Sequence, residues 1–111
     1  MIKIRLFCGA GMSTSLLARK IADAATEAGV EAEVIAYPVS TIKQSSPAQL
    51  AEMADVALLG PQVAFEKGQL APKFAEADVP FEVIPMRDYG LVDGKAVFQL
   101  AMRLIEEHGT K

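Results

Sequence analysis

The chain has 111 residues, 51% of them hydrophobic and 23% charged, and carries a net charge of −3. That length supports one sizeable core and not two, and the composition is too apolar for intrinsic disorder, so a single folded domain over 1–111 is expected. No run of Lys or Arg is present, which excludes the electrostatic footprint of a nucleic-acid or anionic-membrane binder.

The elements can be read in chain order. Ile2, Ile4, Leu6 and Phe7 predict a first strand, and Leu16, Leu17, Ile21, Ala24, Ala25 and Ala28 recur at helical spacing after it. Gly29 supplies the helix stop, and Glu31 to Tyr37 reads as a second strand with Ala32, Val34 and Ala36 on one face. A right-handed β–α–β crossover makes these two strands parallel. The polar stretch Ser40 to Ser46 reads as a loop with room for one helical turn, and Ser46-Pro47-Ala48-Gln49 then opens a short helix to about Met53. Asp55 to Gly60 is a continuous apolar run, as expected of an inner parallel strand covered on both faces. Gln62 to Ala77 is helix-prone but contains Gly68 and Pro72, which predicts two short pieces. Val79 to Ile84 is a fourth strand, placed at an edge by Pro80. A loop from Pro85 to Val92 precedes a last helix, capped by Asp93, in which Val97, Leu100, Ala101, Leu104 and Ile105 share a face and Gly109 marks the end.

Strands alternating with helices define an open, four-stranded parallel α/β sheet with helices on both faces. Ligands of such sheets bind beyond the carboxyl ends of the strands. Three loops collect there: Cys8 to Ser15, Gly60 to Phe65 and Pro85 to Val92. No apolar stretch approaches the ~20 residues that span a bilayer. Met1-Ile2-Lys3-Ile4 opens directly into a strand, so no signal peptide is expected. A cytoplasmic location follows, and the lone cysteine, unable to form an internal disulfide, fits that reducing compartment.

The first of those loops carries the chemistry. Cys8 is followed by Gly9, Ala10, Gly11 and Met12, then by the hydroxyls of Ser13, Thr14 and Ser15, all leading into a helix. Unpaired N–H groups and partial positive charge at a helix start favour a phosphate or a thiolate, and thiols placed there become nucleophiles at neutral pH. Gly9 and Gly11 let the backbone turn its N–H groups inward as a nest for phosphate oxygens. The blander alternative is a buried cysteine at a strand end with the hydroxyls capping the helix. Spacing removes other loop chemistries. No lysine follows the glycines until Lys20, Thr14 stands where a dinucleotide loop needs its third glycine, and a dithiol site lacks its second cysteine. A cysteine-phosphatase loop, with Cys, about five residues and then a helix, is the nearest rival.

The run Cys8-Gly9-Ala10-Gly11-Met12-Ser13-Thr14-Ser15-Leu16-Leu17 resembles the phosphorylation loop of the enzyme IIB component of the bacterial phosphoenolpyruvate-dependent sugar phosphotransferase system, of the lactose, cellobiose and chitobiose type. Leu59-Gly60-Pro61-Gln62-Val63 and Asp88-Tyr89-Gly90 are also similar to that family's loops, and the similarity covers nearly the whole chain. Gly9 departs from the Ala or Ser of other members and loosens the loop. The resemblance implies a phosphatase-like sheet in the strand order 2-1-3-4. It also implies that Cys8 takes a phosphoryl group from a histidine of the IIA component and passes it to sugar held by the membrane IIC permease, with no cofactor. A phosphatase would clamp phosphate with Arg six residues after its cysteine, where this chain has Thr14, and the nearest arginine is Arg19. That favours a carrier over a small cysteine phosphatase, and both over a non-catalytic anion-binding module.

Other residues are weighed against plainer roles. Gln62, after the third strand, can donate to phosphate or simply start a helix. Asp88 fits a turn residue better than a leaving-group acid, and Tyr89 either flanks the site or is a half-buried loop aromatic. Met12 is either a partner contact or tucked under the loop. His108, beside Glu106 and Glu107, reads as a solvated helix end, and no Cys/His/Asp cluster has metal-ligand spacing. No exposed heptad seam or apolar stripe is apparent, so a monomer is expected.

Overall fold

A computed structural model of the chain describes residues 1–9 and 13–109, with the backbone alone for Ser13 and Thr14. Strand β1 (Ile2–Cys8) leads into helix α1 (Ser13–Glu27), and β2 (Ala32–Pro38) is followed by α2 (Ser40–Gln44) and α3 (Pro47–Met53). Then come β3 (Val56–Leu59), a 3₁₀ segment (Pro61–Glu66), α4 (Lys67–Ala77), β4 (Phe81–Val83), α5 (Met86–Gly90) and α6 (Gly94–Gly109). All neighbouring strands pair parallel, in the order β2-β1-β3-β4.

Side-chain alternation along the strands builds two apolar layers. Ile4 and Leu6 of β1, with Val56 and Leu58 of β3, pack against Leu17, Ile21 and Ala25 of α1 and Val97 and Ala101 of α6. Phe7, Ala57 and Leu59 point the other way, onto Ile42 of α2, Leu50 of α3 and Leu70 and Phe74 of α4. Phe7 stacks on Tyr37 and Phe74 on Phe81, at centroid distances of 5.9 and 4.6 Å. The connection leaving β1 runs over one face and the one leaving β3 over the other. Between these two strands lies the point where an open α/β sheet leaves a crevice.

Local signals close the elements. Gly29 has φ +75°, with Gly29 N–H donating to Thr26 O and Val30 N–H to Ala25 O, the paired bonds of a Schellman stop. Ser46 Oγ accepts from Gln49 N–H while Gln49 Oε1 accepts from Ser46 N–H, a complete capping box. Asp93 Oδ1 accepts from Ala96 N–H at the start of α6.

Three expectations are corrected. α4 runs unbroken through Gly68 and Pro72, and the break before it falls instead in the 3₁₀ segment, where Val63 leaves helical geometry. Both Gly68 and Pro72 are exposed, so water can reach the Gly68 carbonyl that Pro72 cannot satisfy, and the missing N–H is tolerated. The loop expected from Pro85 to Val92 contains the short helix α5, started at Pro85. Leu16, expected on the buried face of α1, is 48% exposed.

Candidate functional site

Cys8 is the last residue of β1 and follows Leu6 on the face covered by α1, whose first described residue is Ser13. It is 2% exposed. The strand end is held on both sides: Val39 N–H donates to Cys8 O, and Gly60 N–H donates to Phe7 O, both at 2.9 Å. Leu59 pairs with Phe7, so Gly60 is the next rung, beside Cys8.

That rung is unusually close. A Cβ at position 60 would lie 2.7 Å from Cys8 Sγ, 3.3 Å from Cys8 Cβ and 2.7 Å from Gln62 Oε1. The sulfur therefore rests against the backbone of Gly60, and the Gln62 carboxamide turns back toward the same point from the 3₁₀ segment. Gly60 has φ −65°, open to any residue, so space and not backbone geometry demands glycine here. The 3₁₀ segment is tied down through Glu66, a buried carboxylate paired with Lys43 of α2. Lys73 of α4 donates in turn to Ile42 O at the end of α2. The loops after β2 and β3 thus form one braced wall beside Cys8.

The remaining expected residues divide. Gln62 is beside Cys8. Asp88 and Tyr89 lie on α5, which follows β4, two strands from β1. Asp88 has a carboxylate oxygen 3.7 Å from Arg87 Nε, its backbone carbonyl accepts from Asp93 N–H at 2.9 Å, and Tyr89 packs into the α1/α6 layer. Gly9 is exposed and unobstructed, and Ser15 is exposed on the first turn of α1. Ala10, Gly11 and Met12, together with the hydroxyls of Ser13 and Thr14, lie outside the described residues. His108 is at the opposite, amino-terminal edge of the sheet and is not a purely solvated helix end: its Nε2 is 3.0 Å from Asp78 Oδ1 and the side chain is 26% exposed. The contact of Gly60 with the sulfur was not readable in sequence, because it arises across two strands. Its one local trace is a glycine set between the buried run Val56–Leu59 and Pro61.

Among the described residues, the Glu82 carboxyl stands shifted. Burial pushes Glu82 up, but hydrogen bonds from Lys67 Nζ at 2.6 Å and Val83 N–H at 2.9 Å, with the lysine charge, outweigh it and hold the group below the usual carboxylate range. Among the described residues no group of three or more His, Cys, Asp or Glu is placed to hold a metal ion, and no helix is long and apolar enough to cross a membrane.

Fold and thiol together define a small parallel α/β domain whose one cysteine stands at the mouth of the first βα loop, at the sheet's switch point. The family model "PTS system, Lactose/Cellobiose specific IIB subunit" matches residues 3–100, and the chain belongs to that family, a component of the sugar phosphotransferase system. It is 45% identical over 102 residues to the galactose-specific EIIB component of the PTS system of Lactococcus lactis subsp. cremoris, covering 92% of this chain and 94% of that one. The solution structure of the cellobiose-specific phosphotransferase IIB component protein from Borrelia burgdorferi superposes with a TM-score of 0.74 at 33% identity, covering 96% of this chain and 94% of that one. The lactose-specific IIB domain from Streptococcus pneumoniae shares the fold at 13% identity, with a TM-score of 0.78 over 93% of this chain and 96% of that one.

Proposed function

We propose that the chain acts as a single-domain cytoplasmic phosphoryl carrier, taking a phosphoryl group onto Cys8 from a phosphohistidine of the IIA component and passing it to a sugar bound by the membrane IIC component. The observation that carries this reading is the placement of Cys8: the chain's one thiol, at the carboxyl end of the central strand β1, just ahead of α1, in a chain of this family.

The chemistry is two in-line displacements. In the first, the Cys8 thiolate attacks phosphorus, the S–P bond forms, and the P–N bond breaks with its electron pair leaving on the imidazole, which takes up a proton. In the second, a sugar hydroxyl attacks phosphorus and loses its proton to solvent or to a base on the permease. The S–P bond then breaks and the thiolate is regenerated. Between the two, backbone N–H groups from Gly9, Ala10, Gly11, Met12, Ser13, Thr14 and Ser15 cradle the equatorial oxygens, and the Gln62 carboxamide supports them from the side. With Thr14 where a phosphatase has its clamping arginine, the phosphocysteine outlasts attack by water and is handed on.

Incubation with phosphorylated IIA tests the reading. The native chain should become labelled on sulfur and pass the label on when permease and sugar are added. A Cys8→Ser chain that accepted phosphate to the native extent would sink it.

A further inference from the structure

Of the two atoms that a Cβ at position 60 would meet at 2.7 Å, one yields easily. Gln62 Oε1 ends a flexible, exposed side chain and can swing into solvent. The Cys8 sulfur gives way less readily. It sits two bonds from the backbone of a buried strand whose end is held by Val39 and Gly60, and its freedom is rotation about χ1, which favours staggered positions ~120° apart. Because φ −65° and ψ 148° suit alanine as well as glycine, adding a methyl group there brings no backbone penalty and acts through space alone.

We propose that Gly60 is the positioning residue for the thiol: by presenting no side chain it leaves the berth in which the Cys8 sulfur lies, and any larger residue turns the sulfur out of that direction. The consequence for transfer rests on Cys8 being the accepting atom. In-line displacement needs sulfur and phosphorus aligned, and a misplacement of ~1 Å costs on the order of 10²-fold in rate.

The experiment uses the full chain as Gly60→Ala, Gly68→Ala, Cys8→Ala, and the double variant Cys8→Ala/Gly60→Ala. A Cβ at Gly68 meets nothing within 4 Å, so that variant is the control. Three quantities are read: phosphoryl acceptance from phosphorylated IIA, the rate at which iodoacetamide alkylates Cys8, and Tm. Gly60→Ala should accept phosphoryl about tenfold more slowly or worse, and its alkylation rate should differ severalfold from native. Gly68→Ala should match native in both rates. Gly60→Ala should also lower Tm by about 5 °C or more in the native background and by clearly less in the Cys8→Ala background, where the sulfur is gone. That comparison holds even if the single variant folds poorly. Native rates of both acceptance and alkylation in Gly60→Ala, or an equal Tm loss in the two backgrounds, would overturn the proposal. If the native chain accepted no phosphoryl group while alkylation and Tm behaved as expected, the positioning by Gly60 would stand and the carrier reading would fall.

Discussion

Gly94, the first residue of α6, lies directly on the backbone of Lys20 in α1. A Cβ at position 94 would come within 2.5 Å of the Lys20 carbonyl oxygen and still closer to its carbonyl carbon. The two helices that cover one face of the sheet therefore touch main chain to main chain, and neither side can yield by rotating a side chain. Gly94→Ala should push α6 off α1 and cost about 2–3 kcal/mol, lowering Tm by roughly 10 °C or more. A thermal melt followed by circular dichroism checks this, with Gly68→Ala as the unhindered comparison.

Arg5 is 4% exposed in the middle of β1. Its guanidinium donates to Met53 O at 2.6 Å, Glu33 O at 3.0 Å and Glu33 Oε1 at 2.6 Å, tying β1 to β2 and to the end of α3. Arg5→Met keeps the stem and removes the donors, leaving the Met53 carbonyl without that bond, so a loss of about 2–3 kcal/mol is expected. Glu33 is half-exposed and rehydrates when uncharged, so Glu33→Gln should cost about 1 kcal/mol or less. Urea denaturation distinguishes them: the midpoint should fall well below native in the first and little in the second, with the slope unchanged in both.

Acid should weaken the joint between α4 and β4. The folded Glu82 carboxyl is held below the usual range, so the stability it contributes is full above the ordinary glutamate value of about 4.3 and is lost as pH falls through its lowered folded value. Glu82→Gln removes that dependence. Native and variant Tm should converge as the solution is made more acidic through this window and stay apart by a constant amount above it. Because the pair is partly exposed, raising the salt concentration should shrink the gap.

Gln62 is exposed, so truncation should leave stability within about 0.5 kcal/mol of native. Its carboxamide nevertheless faces the same point as the Cys8 sulfur. Gln62→Ala should slow phosphoryl acceptance by about tenfold, less than the ~10²-fold typical of a rigid donor because this side chain is flexible. A rate of acceptance equal to native would remove Gln62 from the site. Asp88→Asn, on α5 beyond β4, provides the comparison and should stay within threefold of native by order of magnitude.

Much of this architecture was legible because its determinants are local. Gly29 stops α1, Ser46 and Gln49 cap α3 reciprocally, and Asp93 caps α6, each through bonds within a few residues. The alternation in β2 likewise put Ala32, Val34 and Ala36 on one face, the one that packs against the α1/α6 layer. What escaped depends on surroundings. Pro72 is a helix breaker by rule, and only the solvent beside Gly68 explains its place inside α4. Helical spacing counted Leu16 with the core, although it is turned to solvent on the first turn of α1 while Leu17 beside it is buried. α5 is too short to show a period. The same holds at the site. The thiol ahead of a helix is visible in eight consecutive residues, whereas the berth for its sulfur is made by Gly60, just past the end of another strand, and the partner of His108 is Asp78 at the end of another helix.

The pairing of Glu82 with its own strand reaches further than a carboxyl shift. β4 is a sheet edge of three residues, entered from Pro80, which has no N–H, and followed two residues on by Pro85. Just past it, Ile84 N–H turns inward to Leu59 O, while Val83 N–H is taken by the Glu82 carboxylate. An incoming strand would find the Val83 donor already taken by negative charge and, at Pro85, the next outward-facing position, no donor at all. This border is thus a poor template for extension of the sheet, because two successive outward-facing positions, 83 and 85, have no donor to give a neighbour.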